Sequence, residues 1–136
     1  MAEAIFNELA LRDGTLHRFQ VSSAGTKDWD VGSRPDYRTE QILHEHNYPL
    51  DPNKRARQIT ESDINDADFL IAMSQRVASE LGERENMSLL MDFVEGCHGV
   101  DVPDPYPTNT FLQAFDMILR GVGALYDFLK TNILVK

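Results

Sequence analysis

Apolar runs alternating with amphipathic helical stretches predict an α/β fold built on a parallel sheet. Three observations carry the prediction. Phe69-Leu70-Ile71-Ala72-Met73 is an unbroken apolar run between polar flanks, as expected of a strand covered on both faces. Leu89-Leu90-Met91 through Phe93 reads as a second buried strand of the same kind. Phe111, Phe115, Ile118, Leu119, Val122, Leu125, Phe128 and Leu129 recur at helical spacing between about Thr110 and Lys130, the stripe of a helix laid against a core.

The remaining elements follow in chain order. Ala2, Ile5, Phe6, Leu9 and Ala10 lie on one helical face, and Asp13-Gly14 stops that helix. Met1 supplies none of the side chains that usually cap a helix start. Phe19 and Val21 alternate with polar neighbours, a short strand ending in Ser23-Ala24-Gly25. A polar loop runs through Trp29 and Gly32 to Pro35-Asp36, and a helix follows from about Tyr37 to His46 with Ile42 and Leu43 inward. Pro49 and Pro52 punctuate the next loop. Thr60-Glu61-Ser62-Asp63 reads as a capping box opening a short helix. Ser74 caps a helix that ends near Gly82, and a long loop rich in glycine and proline covers Val94 to Asn109. The whole, residues 1–136, is expected to be one domain. Three strands make a thin sheet for five helical segments, so a sheet element is expected to be missing.

Composition narrows the function. A chain 42% hydrophobic and 26% charged is an ordinary globular one, and its net charge of −9 repels nucleic acid and anionic membranes, which are set aside as partners. No run approaches the ~18 apolar residues of a membrane span, and Glu3 and Glu8 sit wrongly for a secretory signal. Cys97 is the one cysteine, so an internal disulfide and a cysteine metal cluster are both excluded. A cytoplasmic location fits, and the oligomeric state is left open. His44 and His46, two apart on a helix, point to different faces and do not chelate together. Asp63, Asp66 and Asp68 are explained by a capped helix and a strand edge. No cofactor and no metal is expected.

Six blocks in order resemble the low-molecular-weight protein tyrosine phosphatase family, and together they cover essentially the whole chain. Met1-Ala2-Glu3-Ala4-Ile5-Phe6 resembles the helix that follows the family's phosphate loop. Ser22-Ser23-Ala24-Gly25-Thr26, Asp28-Trp29 and Val31-Gly32 resemble its second strand and variable loop, and Pro35-Asp36-Tyr37-Arg38 its next helix start. Arg55-Ala56-Arg57-Gln58-Ile59-Thr60 and Asp68-Phe69-Leu70-Ile71-Ala72-Met73 match two further blocks. Asp101-Val102-Pro103-Asp104-Pro105-Tyr106 is similar to the acid loop. The resemblance implies a three-layer α/β sandwich of the phosphotyrosine protein phosphatase I type. The family begins with a central strand and a Cys-(five residues)-Arg-Ser-Pro loop, and neither precedes the first helix here. The expectation is therefore a domain truncated at its N-terminus, opened at an internal methionine, with the first central strand missing. Cys97 is followed after five residues by Pro103, so this chain holds no family nucleophile and is expected to be inactive by itself.

The resemblance also implies the chemistry. In intact relatives a thiolate attacks phosphorus, and the departing phenolate, of pKa near ~10, needs a proton from a placed carboxylic acid. Asp104 is that proton donor by resemblance, and Pro103 and Pro105 restrict its backbone. Tyr106 and Trp29 would wall the cleft around an aromatic ring, Ser23 would hydrogen-bond the phosphate loop, and Arg57 reads as a structural ion-pair partner. The implied partner is a phosphotyrosine-containing protein, with phosphoarginine left open. Pro107 stands where many members carry a second tyrosine, and the sister activity of arsenate reduction would need ordered cysteines that are absent. The alternative is a non-catalytic interaction protein reusing the scaffold, with Ile133-Leu134-Val135 as the segment available to fill the strand slot.

Overall fold

A computed structural model describes residues 1–134. Helix α1 spans Ala2–Arg12, α2 Tyr37–Glu45 and α3 Glu61–Asp66. Strand β1, Leu70–Ala72, is followed by α4, Gln75–Leu81, and strand β2, Met87–Leu89. Helix α5, Phe111–Leu129, is the longest element. Strands β1 and β2 pair in parallel, Leu70 opposite Met87 and Ala72 opposite Leu89, and α4 packs on both. A right-handed βαβ unit is the ordinary way to join such strands. The chain is α/β with a parallel sheet and helices around it.

Two expected strands differ from the observed ones. Among the described residues Phe19–Val21 forms no ladder: it follows a 3₁₀ turn at Leu16–Arg18, leaves it extended at Phe19, and the next bridge is Gly25 to Gln58. The Phe19 ring is instead occupied in the core margin, edge-on to Phe6 at 5.0 Å. The second expected strand, Leu89 to Phe93, ends at Leu89, and Leu90–Phe93 turns as a 3₁₀ helix. Asp92 makes that turn by accepting from Leu89 N–H at 2.9 Å and Gly99 N–H at 2.8 Å. Leu90 and Met91 remain fully buried. A short apolar run records burial, and periodicity does not distinguish strand from turn. Ile133 and Leu134 lie in a π-helical turn, Lys130–Leu134, that continues α5; Val135 lies outside the described residues.

The core sits where α1, α2 and α5 meet the 90–93 turn. Ile5, Leu43, Leu90, Met91, Phe115 and Val122 are its most enclosed side chains. Gly121 lets α5 approach closely: a Cβ there would stand 2.6 Å from Leu90 Cγ. At one edge the Tyr126 hydroxyl donates to Asp13 at 2.6 Å and meets Thr15 Oγ1 at 2.7 Å, tying α5 to the end of α1. That bond, with Lys130, holds the Asp13 carboxyl below the usual carboxylate range.

Candidate active site

Ligands of open parallel sheets bind outside the carboxyl ends of the strands. Beyond β1, Val102 N–H donates to Met73 O at 2.8 Å, and Gln75 N–H at the start of α4 donates to Asp101 Oδ1 at 2.9 Å. These two bonds fasten the start of the acid loop there. Within the loop, Tyr106 N–H donates to Asp104 Oδ1 at 3.0 Å, and Thr110 N–H to Pro105 O at 3.1 Å. Asp104 is exposed, and Tyr106 is 67% exposed.

Ser23 and Trp29 stand on another wall. Gly25 N–H donates to Arg57 O at 2.9 Å, and Ile59 N–H to Gly25 O at 2.8 Å, so the two segments lie side by side. Lys54 Nζ reaches both Ser23 Oγ and Glu3 Oε2 at 2.9 Å, which places the first turn of α1 beside Ser23. Ser23 therefore acts here as an acceptor from a cation. Arg57 grips Asp63 with both ends of its fork, at 2.8 and 3.2 Å, and reaches Ser22 Oγ at 3.3 Å. This is the structural ion pair expected of it. Thr60 and Asp63 form the expected capping box. With Arg57 first and the Thr60 N–H second, these donors lower the Asp63 carboxyl to about 2. Trp29 is 81% exposed on the rim.

A cleft of about 410 Å³ runs along this wall, lined by Ser23, Trp29, Lys54, Arg55, Arg57 and Arg76 among others. The structure thus brings Ser23 and Trp29 to one cavity. Asp104 and Tyr106 stand on the acid loop and do not line it. The lining carries five cations, Lys27, Lys54, Arg55, Arg57 and Arg76, beside the Asp30 carboxylate, and four of them are paired: Lys54 with Glu3, Arg57 with Asp63, and Lys27 and Arg76 with Glu80.

Sequence reasoning missed Arg38, which faces the acid loop. Its fork holds Asp36 at 2.9 and 3.0 Å, and Nη1 donates to Asn109 Oδ1 at 3.0 Å. Its guanidinium carbon lies 4.3 Å from the Phe111 ring centroid and 5.4 Å from that of Tyr106. The ion pair lowers the Asp36 carboxyl and raises Arg38 further. Asp36 was legible as a helix start, and it does cap α2 by accepting from Arg38 N–H at 2.9 Å. The long-range bond to Asn109, 71 residues on, has no local signal. His46 Nδ1 is paired with Ile42 O at 2.7 Å, within its own helix end.

A cleft lined by cations on one wall and a proline-flanked carboxylate on a separate loop thus stand on an α/β scaffold with a parallel sheet. The family model for "Low molecular weight phosphotyrosine protein phosphatase" matches residues 1–134, and the chain belongs to that family. The low molecular weight protein-tyrosine-phosphatase YfkJ of Bacillus subtilis is 35% identical over 131 residues, covering 92% of this chain and 83% of the relative. Its crystal structure superposes with a TM-score of 0.87 at 30% identity, covering 97% of this chain and 86% of the other. PtpA of Staphylococcus aureus, of the same description, is 33% identical over 141 positions, covering 100% of this chain and 88% of the relative. The crystal structure of a Drosophila arginine phosphatase superposes with a TM-score of 0.84 at 27% identity, covering 96% of this chain and 89% of that one. No helix among the described residues is long and apolar enough to cross a membrane.

Proposed function

We propose that this chain carries the acid loop and the substrate walls of a cytoplasmic phosphatase that hydrolyses phosphate monoesters on proteins. Asp104 is the proton donor, Tyr106 and Trp29 hold the substrate ring, and Ser23 orients the phosphate loop. The observation that carries the reading is the loop itself: Val102-Pro103-Asp104-Pro105-Tyr106 is fastened beyond the end of β1 with its carboxylate exposed. A phenolate of pKa near ~10 leaves poorly without a proton, which is the work a carboxylic acid does there. The 136 residues hold one cysteine, in no Cys-(five residues)-Arg sequence, so this polypeptide by itself lacks the nucleophile that intact relatives use. Tyrosine phosphate on a protein is the favoured substrate, supported by the descriptions of YfkJ and PtpA.

The test joins the family's strand and Cys-(five residues)-Arg-Ser-Pro loop ahead of Ala2 and compares Asp104 with Asp104→Asn on a series of aryl phosphates. Asn keeps the shape and donates no acid proton. Turnover should fall by roughly 10²–10⁴-fold for phosphotyrosine and little for activated esters, with vanadate binding unchanged. An equal loss across the series would mean that Asp104 only shapes the loop.

A further inference from the structure

We propose that Arg38 is a positioning residue: it spans from the start of α2 to the far end of the acid loop and sets where Asp104 and Tyr106 stand. The proposal rests on reading Asp104 as the proton donor. Among the described residues, Arg38 makes the one hydrogen bond that joins residues 103–109 to another part of the chain, through Asn109 Oδ1 at 3.0 Å. The other bonds of that segment are local: Tyr106 N–H to Asp104, Thr110 N–H to Pro105 O, and Thr108 Oγ1 with Thr110 Oγ1 at 2.8 Å. The near end of the loop is fastened separately, through Asp101 and Val102. Arg38 is itself fixed by the Asp36 fork and the Phe111 ring, so it has little freedom to follow a moving loop. Asn109 is presented to it by a left-handed backbone, φ 55°, which asparagine adopts more readily than most residues.

The consequence is geometric. Asp36 ends the loop that carries Trp29, and Asn109 ends the loop that carries Tyr106. One guanidinium bonded to both therefore couples the two aromatic walls. A proton donor displaced by about an ångström loses much of its effect, because its advantage comes from being held in position. Lysine is not a substitute, since an ammonium has no planar fork to hold Asp36 at two points while reaching Asn109.

Amide hydrogen exchange, read by NMR on the 136-residue chain, tests this without any turnover. Arg38→Lys should speed exchange at Tyr106 and Thr110 by roughly tenfold or more, the size of effect expected when a charge-assisted hydrogen bond is lost. The amides of Gln75 and Val102, and those inside α2 and α5, should stay as they are. Asn109→Gly keeps the backbone free at positive φ and leaves the Asp36–Arg38 pair in place. It should give the same acceleration, add nothing on top of Arg38→Lys, and shift the Tyr106 ring-proton signals although the guanidinium is still present. Unchanged exchange at Tyr106 and Thr110 in both variants would overturn the proposal. So would an equal acceleration in α2 and α5, which would make Arg38 a general support of the fold. Asp104→Asn keeps the Oδ1 acceptor and should leave loop exchange untouched. A flat leaving-group series for that variant would remove the acid role of Asp104 and leave the Arg38 result to stand or fall on exchange alone.

Discussion

The interior and the loops that carry the site are held by different physics. In the interior, α1, α2 and α5 close on the 90–93 turn, and every residue classed as buried among those described is apolar apart from the Tyr126 hydroxyl, which has its partners. Around the site, the walls are fixed by cations on carboxylates and carbonyls, at half-exposed positions: Lys54 on Glu3, Arg57 on Asp63, Arg38 on Asp36 and Asn109. Apolar burial supplies free energy in proportion to area and has no direction. Forked ion pairs add little net stability but fix angles. Interior substitutions should therefore cost stability and spare local geometry, and site substitutions should do the reverse.

The largest effect sharpens the site side. The 136-residue polypeptide should show no thiolate-dependent turnover of an aryl phosphate, because loss of a nucleophile costs on the order of a millionfold in a well-characterised protease. Cys97 is half-buried in the 94–99 loop and should be a bystander. Measurable hydrolysis abolished by Cys97→Ser would show that this chain holds a nucleophile of its own.

Phe115→Ala probes the interior. The ring is 1% exposed and stands 4.5 Å from the His46 ring, so its removal leaves a cavity between α5 and α2. The expected loss is about 3–5 kcal/mol in chemical denaturation, with the acid-loop amides unmoved in the residual folded fraction. Gly121 and Gly123 make a finer pair. Both lie in α5, where alanine is preferred over glycine by about 0.5–1 kcal/mol. A Cβ at Gly121 meets Leu90 at 2.6 Å, whereas at Gly123 it meets nothing within 4 Å. Gly123→Ala should stabilise by about 0.4–1 kcal/mol, and Gly121→Ala should destabilise by about 1–3 kcal/mol through overpacking. Equal effects would mean that the 90–93 turn yields freely and that the interior is looser than its burial implies.

What was legible in the sequence divides along the same line. Helices α1, α2, α4 and α5 were read from periodicity and punctuation because burial of one face leaves a 3.6-residue signature. The Thr60–Asp63 box and the Ser74 cap were read because their bonds span three residues. Strand Phe19–Val21 was misread because alternation reports burial on one side, here satisfied by Phe6 and Tyr126 rather than by a ladder. The apolar run at Leu89–Phe93 reads as a strand, but Asp92 bends it by accepting from Leu89 N–H, and a second bond from Gly99, seven residues on, holds the same carboxylate. Ser23 and Trp29 were named from resemblance and share a cleft, while Asp104 and Tyr106 lie on a different loop. Arg38 escaped because its role is a contact across 71 residues.

The smallest expected effect is also the most specific to the ion-paired walls. Asp63 receives the Arg57 fork and the Thr60 N–H, and its carboxyl is lowered from an ordinary 3.8 to about 2. A carboxyl depressed by folding stabilises the native state fully above its unfolded value and loses that contribution as pH falls through the folded one. The contribution of Asp63 should therefore be complete by about pH 5, fall steadily as pH drops through 3.8, and be mostly lost by about pH 2. Asp63→Asn carries no titrating proton, so the variant should be less stable than the wild type at neutral pH, and the gap should close across that window. Denaturant midpoints for both chains between pH 5 and pH 2 measure it directly. At high salt the gap at neutral pH should shrink, since an exposed pair is screened. A gap that keeps its size down to pH 2 would assign the cost of Asp63→Asn to the lost capping geometry at Thr60 rather than to charge. The wall beside Ser23 would then be held by hydrogen-bond direction alone, and the contrast with the apolar interior would narrow to geometry.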